Sequence, residues 1–231
     1  MEDAEKVKDH RPIHPSWVAQ EAMKVLDDSA TIILDAFTGT AYMTERIVGR
    51  FAGCVLDAGS WAGVGHGVGM GIGTQLARPG KQVLVIMGDG GMGLGGFDVE
   101  TAVRCQLPVV YLIHNNNAWM AASGSMFTKL MPVVGMQLPN PFGIVPTRYD
   151  KLFETMGCYT ERVEDPAKLR TALENAFNSG KTSVIDVFVD PATPHPSPPK
   201  EMVSSMTWMD PEDLPEELRQ VKATKEDKEK K

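Results

Sequence analysis

The chain has 231 residues, enough for one sizeable core, and its 42% hydrophobic and 23% charged residues suggest neither global disorder nor a membrane span. A formal net charge of −7 argues against a nucleic-acid-binding surface. Cys54, Cys105 and Cys158 are far apart and form no CxxC pair, which leaves no disulfide framework and no zinc or iron-sulfur motif; they read as small buried hydrophobes.

The N-terminal MEDAEKVKDH is charged throughout rather than basic and then apolar, so a cytoplasmic protein with a peripheral first dozen residues is the expectation. Five apolar runs follow in chain order: TIILDA (31–36), GCVLDA (53–58), QVLVIMGDG (82–90), PVVYLIHNN (108–116) and SVIDVFVD (183–190). Their hydrophobicity is continuous rather than alternating, the pattern of strands buried on both faces of a mostly parallel sheet. The clearest helix is DPAKLRTALENAFNSG, with Asp165 as cap, Pro166 at the first helical position, Leu169, Leu173 and Phe177 at four-residue spacing, and Gly180 as terminator. Strand alternating with helix gives an α/β fold, doubly wound, with helices on both faces of the sheet. Residues 1–190 form this domain. Residues 191–220 make a proline-rich and then amphipathic segment around Trp208, a lid or a docking piece, and 221–231 is a solvated charge run expected to be disordered.

GDGGMGLGGF, from Gly88 to Phe97, begins where the run QVLVIM stops, so it lies at the carboxyl end of a buried strand, the edge where open α/β sheets bind ligands. Two GxGxxG registers fall inside it, but so glycine-rich a segment produces them by chance, and no acidic residue follows at the end of the next strand to hold a ribose. The next strand ends at the same edge in Asn115, Asn116 and Asn117, after the 24 residues 91–114, which fit one helix and one strand. The Asp89 carboxylate, an asparagine amide oxygen and a backbone carbonyl just beyond are hard oxygen donors suited to Mg²⁺ shared with phosphates. The glycines let backbone N–H groups approach those phosphates, so the ligand read from the residues is a magnesium diphosphate.

GDG followed two dozen residues later by NN resembles the diphosphate-binding signature of thiamine diphosphate (ThDP) enzymes. DAGSWAGVGHGVGMGIG (57–73), GLGGFDVETAVRCQLPV (93–109) and RYDKLFETMG (148–157) are similar to the 2-hydroxyacyl-CoA lyase and oxalyl-CoA decarboxylase branch. The resemblance implies metal ligation by Asp89, Asn116 and the Ala118 carbonyl, and diphosphate contacts from the Gly90 and Gly91 backbone. It implies diphosphate or aminopyrimidine contacts from Gly39 and Thr40 in TGTA, with Ala41, Ser60, Gly88, Trp119 and Met120 also in the cofactor site. Val64 stands where the family places an apolar residue beneath the bent cofactor. His66 and His114 are the candidate catalytic side chains of this chain, each set against a packed or capping role.

Three departures accompany the match. Gly91 follows GDG in place of a hydroxyl residue, Asn117 follows NN where glycine is common, and Val64 is smaller than many of its counterparts. The larger departure is length, because full-length relatives carry a pyrimidine-binding and a middle domain before the one matched here. The family's catalytic glutamate belongs to the first of these, and Glu2, Glu5, Glu21 and Glu45 stand in no matching context. The resemblance therefore implies one subunit of a split enzyme, a hetero-oligomer such as α2β2 with a separate pyrimidine-binding chain; a piece of a longer chain is the alternative. The reaction implied is cleavage or formation of a C–C bond next to a CoA thioester. An oxalyl-CoA decarboxylase, an acetolactate-synthase-like carboligase and a noncatalytic cofactor-binding module are the other readings.

Overall fold

The computed structural model describes residues 4–61, 63–119 and 143–193. Six strands build one sheet: β1 (Thr31–Leu34), β2 (Val55–Asp57), β3 (Val83–Gly88), β4 (Val110–Asn115), β5 (Tyr159–Val163) and β6 (Ser183–Phe188). Their spatial order is β2-β1-β3-β4-β6-β5 and every pairing is parallel. The helices are α1 (Pro15–Lys24), α2 (Thr40–Thr44), α3 (His66–Ala77), α4 (Asp89–Gly95), α5 (Val99–Arg104), α6 (Tyr149–Glu154) and α7 (Leu169–Asn178).

Successive strand residues point to opposite faces, so the sheet feeds two cores. On one face Leu84, Ile86, Val110, Leu112 and Ile185 pack with Val18 and Ala22 of α1, Met43 of α2 and Leu169 and Leu173 of α7. On the other, Val83, Val85, Met87, Tyr111 and Ile113 pack with Val68 of α3, Met92 of α4, Val99 and Ala102 of α5, and Phe153 of α6. The doubly wound fold is therefore as expected, and β3 and β4, at its centre, are buried along their whole length. Among the described residues no helix is long and apolar enough to cross a membrane.

Three details differ from the sequence reading. β5 was not anticipated, because YTERV lies at a sheet edge and carries the charged Glu161 and Arg162. β2 occupies the other edge and is only partly buried, so its apolar run did not mark a strand covered on both faces. Cys54 and Cys158 are buried as expected, but Cys105 is exposed at the end of α5. The Asp165 side chain accepts from the Ala167 N–H at 3.2 Å and opens a short 3-10 turn over Pro166–Lys168 that runs into α7. Beyond residue 193 the proline-rich segment, the amphipathic segment and the charged tail lie outside the described residues, as does Met120.

The strand order fixes where a ligand fits. From β1 the chain crosses outward to β2, then returns past β1 to β3 and proceeds the other way to β4. The loops leaving β1 and β3 thus diverge, and the crevice between their carboxyl ends is the topological switch point of the sheet.

Candidate functional site

At the tip of β3 the chain turns directly into α4, with extended Gly88 as cap and Asp89 as the first helical residue. Helix is the less favourable state for a run of glycines, by about 1 kcal/mol each relative to alanine, so packing must hold it there. Gly95 lies on the backbone of Gly65, whose carbonyl oxygen occupies the space of a Cβ at position 95. Gly65 itself has φ +88°, a left-handed conformation that a side chain would strain. A Cβ at Gly91 would come within 2.8 Å of Asp35 Oδ2, and one at Gly90 within 3.0 Å of the Trp119 indole. The glycines let α4 lie against the β2–α3 turn, the tip of β1 and the loop after β4 at once.

Asp89 is 2% exposed. Its Oδ1 accepts from the Gly90 N–H at 3.0 Å and its Oδ2 from the Ala118 N–H at 3.1 Å. The same Ala118 N–H donates to Asn116 Oδ1 at 3.2 Å, so a carboxylate oxygen of β3 and an amide oxygen of the β4 loop converge on one point. Burial pushes the Asp89 carboxyl up to about 7 against the pull of backbone N–H donors, chiefly Gly90 and Ala118. Among the described residues no lysine or arginine forms an ion pair with it. The Tyr149 hydroxyl donates to the Asp89 carbonyl at 2.9 Å, tying α6 to the start of α4.

The loop after β4 is braced from behind. Asn115 is fully buried, donates through Nδ2 to Asp186 at 2.9 Å and accepts from the Asn117 N–H at 3.1 Å. Arg162 donates to Asp186 at 2.7 Å, and burial still raises the Asp186 carboxyl despite Asn115 and Arg162. Asn117 has φ +54°, which explains how asparagine serves where glycine is common. The Asn117 carbonyl accepts from Ile144 at 2.9 Å and Ala118 bridges Gly143, anchoring the far side of the loop.

Across the crevice, Asp35 ends β1 and is 1% exposed. Its carboxylate accepts from the Ala36 N–H at 2.6 Å and from the Gly65 N–H at 2.9 and 3.0 Å, and His66 Nδ1 lies 3.1 Å from its Oδ1. Burial raises its pKa against these partners. His66 also hydrogen-bonds the Gly63 carbonyl, while its Nε2 is buried without a partner among the described residues. The Thr40 hydroxyl donates to the Asp35 carbonyl at 3.0 Å, which shapes the turn that carries Gly39 and leads into Ala41 of α2. Ser60 lies in the 3-10 turn Gly59–Trp61, and Val64 is 41% exposed between that turn and α3. His114, the residue before Asn115, is 5% exposed and its Nε2 is likewise unpartnered. Burial pushes its imidazole down to about 4.

The described candidates therefore gather on one sheet edge. Asp89, Gly90, Asn116, Ala118 and Trp119 meet directly; Gly91 meets Asp35, the partner of His66; and Gly39 meets His114. Asp35 was missed, although TIILDA carries the same signal as the β3 run, an aspartate where an apolar strand stops. The brace of Asn115, Asp186 and Arg162 was missed because its members are distant in sequence.

Residues 38–187 match the family model for the C-terminal TPP binding domain of thiamine pyrophosphate enzymes. The acetolactate synthase large subunit of Mycobacterium tuberculosis is 36% identical over 197 residues, 85% of this chain and 35% of that one. A 2-hydroxyacyl-CoA lyase of Oryza sativa is 36% identical over 137 residues, covering 59% of this chain and 24% of the relative. Among solved structures, a thiamine diphosphate-dependent 4-hydroxybenzoylformate decarboxylase of Rhodococcus jostii superposes with a TM-score of 0.68 at 20% identity, over 78% of this chain and 33% of that one. The chain thus spans about a third or less of the length of each protein it matches.

Proposed function

The chain belongs to the thiamine pyrophosphate enzyme family, and on that premise we propose that it supplies the diphosphate- and magnesium-binding part of an enzyme that breaks or makes a C–C bond beside a carbonyl. The observation that carries this reading is the convergence of Asp89 Oδ2 and Asn116 Oδ1 on a single N–H, at 3.1 and 3.2 Å. A buried carboxylate with no cationic side chain beside it is costly, and a divalent cation bound there offsets that cost. The donors are hard oxygens, as Mg²⁺, the family's usual partner metal, prefers. Two of the three buried side-chain atoms that lack a partner among the described residues are the Nε2 atoms of His66 and His114, beside the same crevice. A ligand bearing phosphates fits such a surface.

Asp89, Asn116 and the Ala118 carbonyl would hold the cation. The Gly90–Gly91 backbone at the start of α4 would touch the phosphates, and the Gly39–Thr40 turn closes on them from β1. ThDP, when bound, supplies a nucleophilic thiazolium carbon and an electron sink. The contribution of this chain is geometry. Asp35 holds Gly65 and so the Val64 turn against α4, and Trp119 covers Gly90 and screens that side from water.

The chain corresponds to about a third of its relatives, and the proposal adds a pyrimidine-binding part, on a separate subunit or elsewhere in a longer chain, with the cofactor between the two parts. For the substrate we favour a 2-hydroxyacyl-CoA, on the resemblance of residues 57–73 and 93–109 to that branch. The broader 85% coverage by an acetolactate synthase supports a second reading, a 2-oxoacid carboligase. Co-purification with the partner, followed by assay with 2-hydroxyacyl-CoA and with pyruvate, separates them. Formyl-CoA release supports the first reading, acetolactate the second, and turnover of neither by a complex that binds ThDP leaves a noncatalytic module.

A further inference from the structure

We infer that His114 donates a hydrogen bond from Nε2 to the diphosphate held at the Gly39 turn, making it a cofactor-anchoring residue. The inference rests on the diphosphate-site reading above. It adds a contact from the strand itself to those expected from the glycines and the metal.

His114 is the fifth of six buried residues of β4, in register with Gly88 of β3 and Val187 of β6. Its side chain leaves the sheet on the face that carries α1, α2 and α7, since Leu112 two residues earlier packs there. It meets the ring of Phe37 at a centroid separation of 5.4 Å, and a Cβ on Gly39 would lie 3.0 Å from its Nε2. A Cβ on Gly88 would in turn lie 3.0 Å from the Phe37 Cβ. Position 88 without a side chain makes room for Phe37, and position 39 without one leaves Nε2 aimed at the turn between β1 and α2.

An imidazole in this setting is costly. A leucine would fill the space between Phe37 and the sheet with no polar atom to satisfy, whereas a buried nitrogen without a partner forfeits the hydrogen bond it makes in water. Residues that break the packing rule without local compensation concentrate where a ligand completes them. With the ring proton on Nε2, the missing partner is an acceptor able to reach the Gly39 turn beside the crevice, and a phosphate oxygen of the diphosphate is that acceptor. Phe37 lies across the approach, so occupancy turns its ring aside.

The test uses the chain co-purified with its partner, titrated with Mg²⁺-ThDP and separately with Mg²⁺-pyrophosphate, binding being read by calorimetry and from the Nε2 resonance of ¹⁵N-labelled His114. Binding to the wild type should shift that resonance. His114→Leu should weaken both ligands about 10- to 100-fold, the loss of one hydrogen bond to a charged group. His114→Gln, whose amide nitrogen can take the place of Nε2, should recover most of the affinity, while His114→Asn, too short to do so, should not. Without ligand, His114→Leu should melt no lower than the wild type, which a histidine of purely structural importance would not allow. If the wild type binds but His114→Leu binds equally well, the inference is overturned and the site reading survives. Weakening confined to ThDP, with pyrophosphate unaffected, overturns the diphosphate assignment. If neither the wild type nor Asp89→Asn binds either ligand at millimolar concentration, the site reading itself fails and takes the inference with it.

Discussion

Replacing Asp89 by asparagine separates the cost of burying a carboxylate from the benefit of holding a cation. The carboxyl rises from an ordinary 3.8 to about 7, which at 1.36 kcal/mol per pKa unit is about 4 kcal/mol of destabilisation once the group is fully ionised. Between those two values the native state binds more protons than the unfolded chain, so stability falls, and this destabilisation grows, as pH rises through the window. Worked through the same linkage, the wild type carries about 2 kcal/mol of it at pH 5 and about 4 kcal/mol at pH 8. His114 acts in the opposite sense: its pKa is lowered from 6.5 to about 4, so its contribution is fully present above 6.5 and is lost as pH falls towards 4. The two windows overlap, which makes the wild-type pH profile alone uninformative. The difference between wild type and Asp89→Asn isolates Asp89. Asparagine leaves one of the two N–H donors, Gly90 or Ala118, facing an NH₂, at a pH-independent cost of about 1–3 kcal/mol. Urea unfolding of the full chain in chelator should therefore show the variant gaining on the wild type by about 2–3 kcal/mol between pH 5 and pH 8. Saturating Mg²⁺-ThDP should then stabilise the wild type, by about 2.7 kcal/mol at one hundred times Kd, and leave the variant unmoved. A gap that stays constant across this pH range, or equal stabilisation of both proteins by the ligand, would refute the reasoning.

Gly95→Ala should destabilise the chain by about 1–3 kcal/mol, because its Cβ meets the Gly65 carbonyl, whereas Gly69→Ala, in open space on α3, should stabilise by up to about 1 kcal/mol. Equal melting shifts in the two variants would count against the close packing of α4. Arg162→Met leaves Asp186 buried without its cation and should cost about 3–5 kcal/mol in urea unfolding; a loss under 1 kcal/mol would mean that the brace contributes little. Asn115→Ala keeps every proposed metal ligand but releases the loop, and calorimetry should read a 10- to 100-fold weaker Mg²⁺-ThDP complex; unchanged affinity would show that the loop holds its shape without Asn115.

Much of this was legible before folding. Continuous apolar runs in β1, β3, β4 and β6 announced buried parallel strands, and an aspartate or asparagine where such a run stops announced a polar edge. These are local signals, carried by a few consecutive residues. β5 escaped because an edge strand covers only part of its surface and tolerates Glu161 and Arg162. The glycine-rich stretch revealed a close backbone approach at the carboxyl end of β3 but not its helical state, since propensity opposes a helix there and contacts with Gly65, Asp35 and Trp119 enforce one.

The residue pattern by itself determined the fold class, the β3 and β4 tips as a polar edge of the sheet, and the donor types Asp89 and Asn116 present there. Tertiary structure alone decided that β1 lies between β2 and β3, that Asp35 and His66 therefore face Gly91, and that His114 comes to rest beneath Gly39 with a nitrogen unmet. Hydrophobic period is written along the chain, whereas which strand tips become neighbours, and which polar atoms they leave without partners, depends on contacts between residues dozens of positions apart.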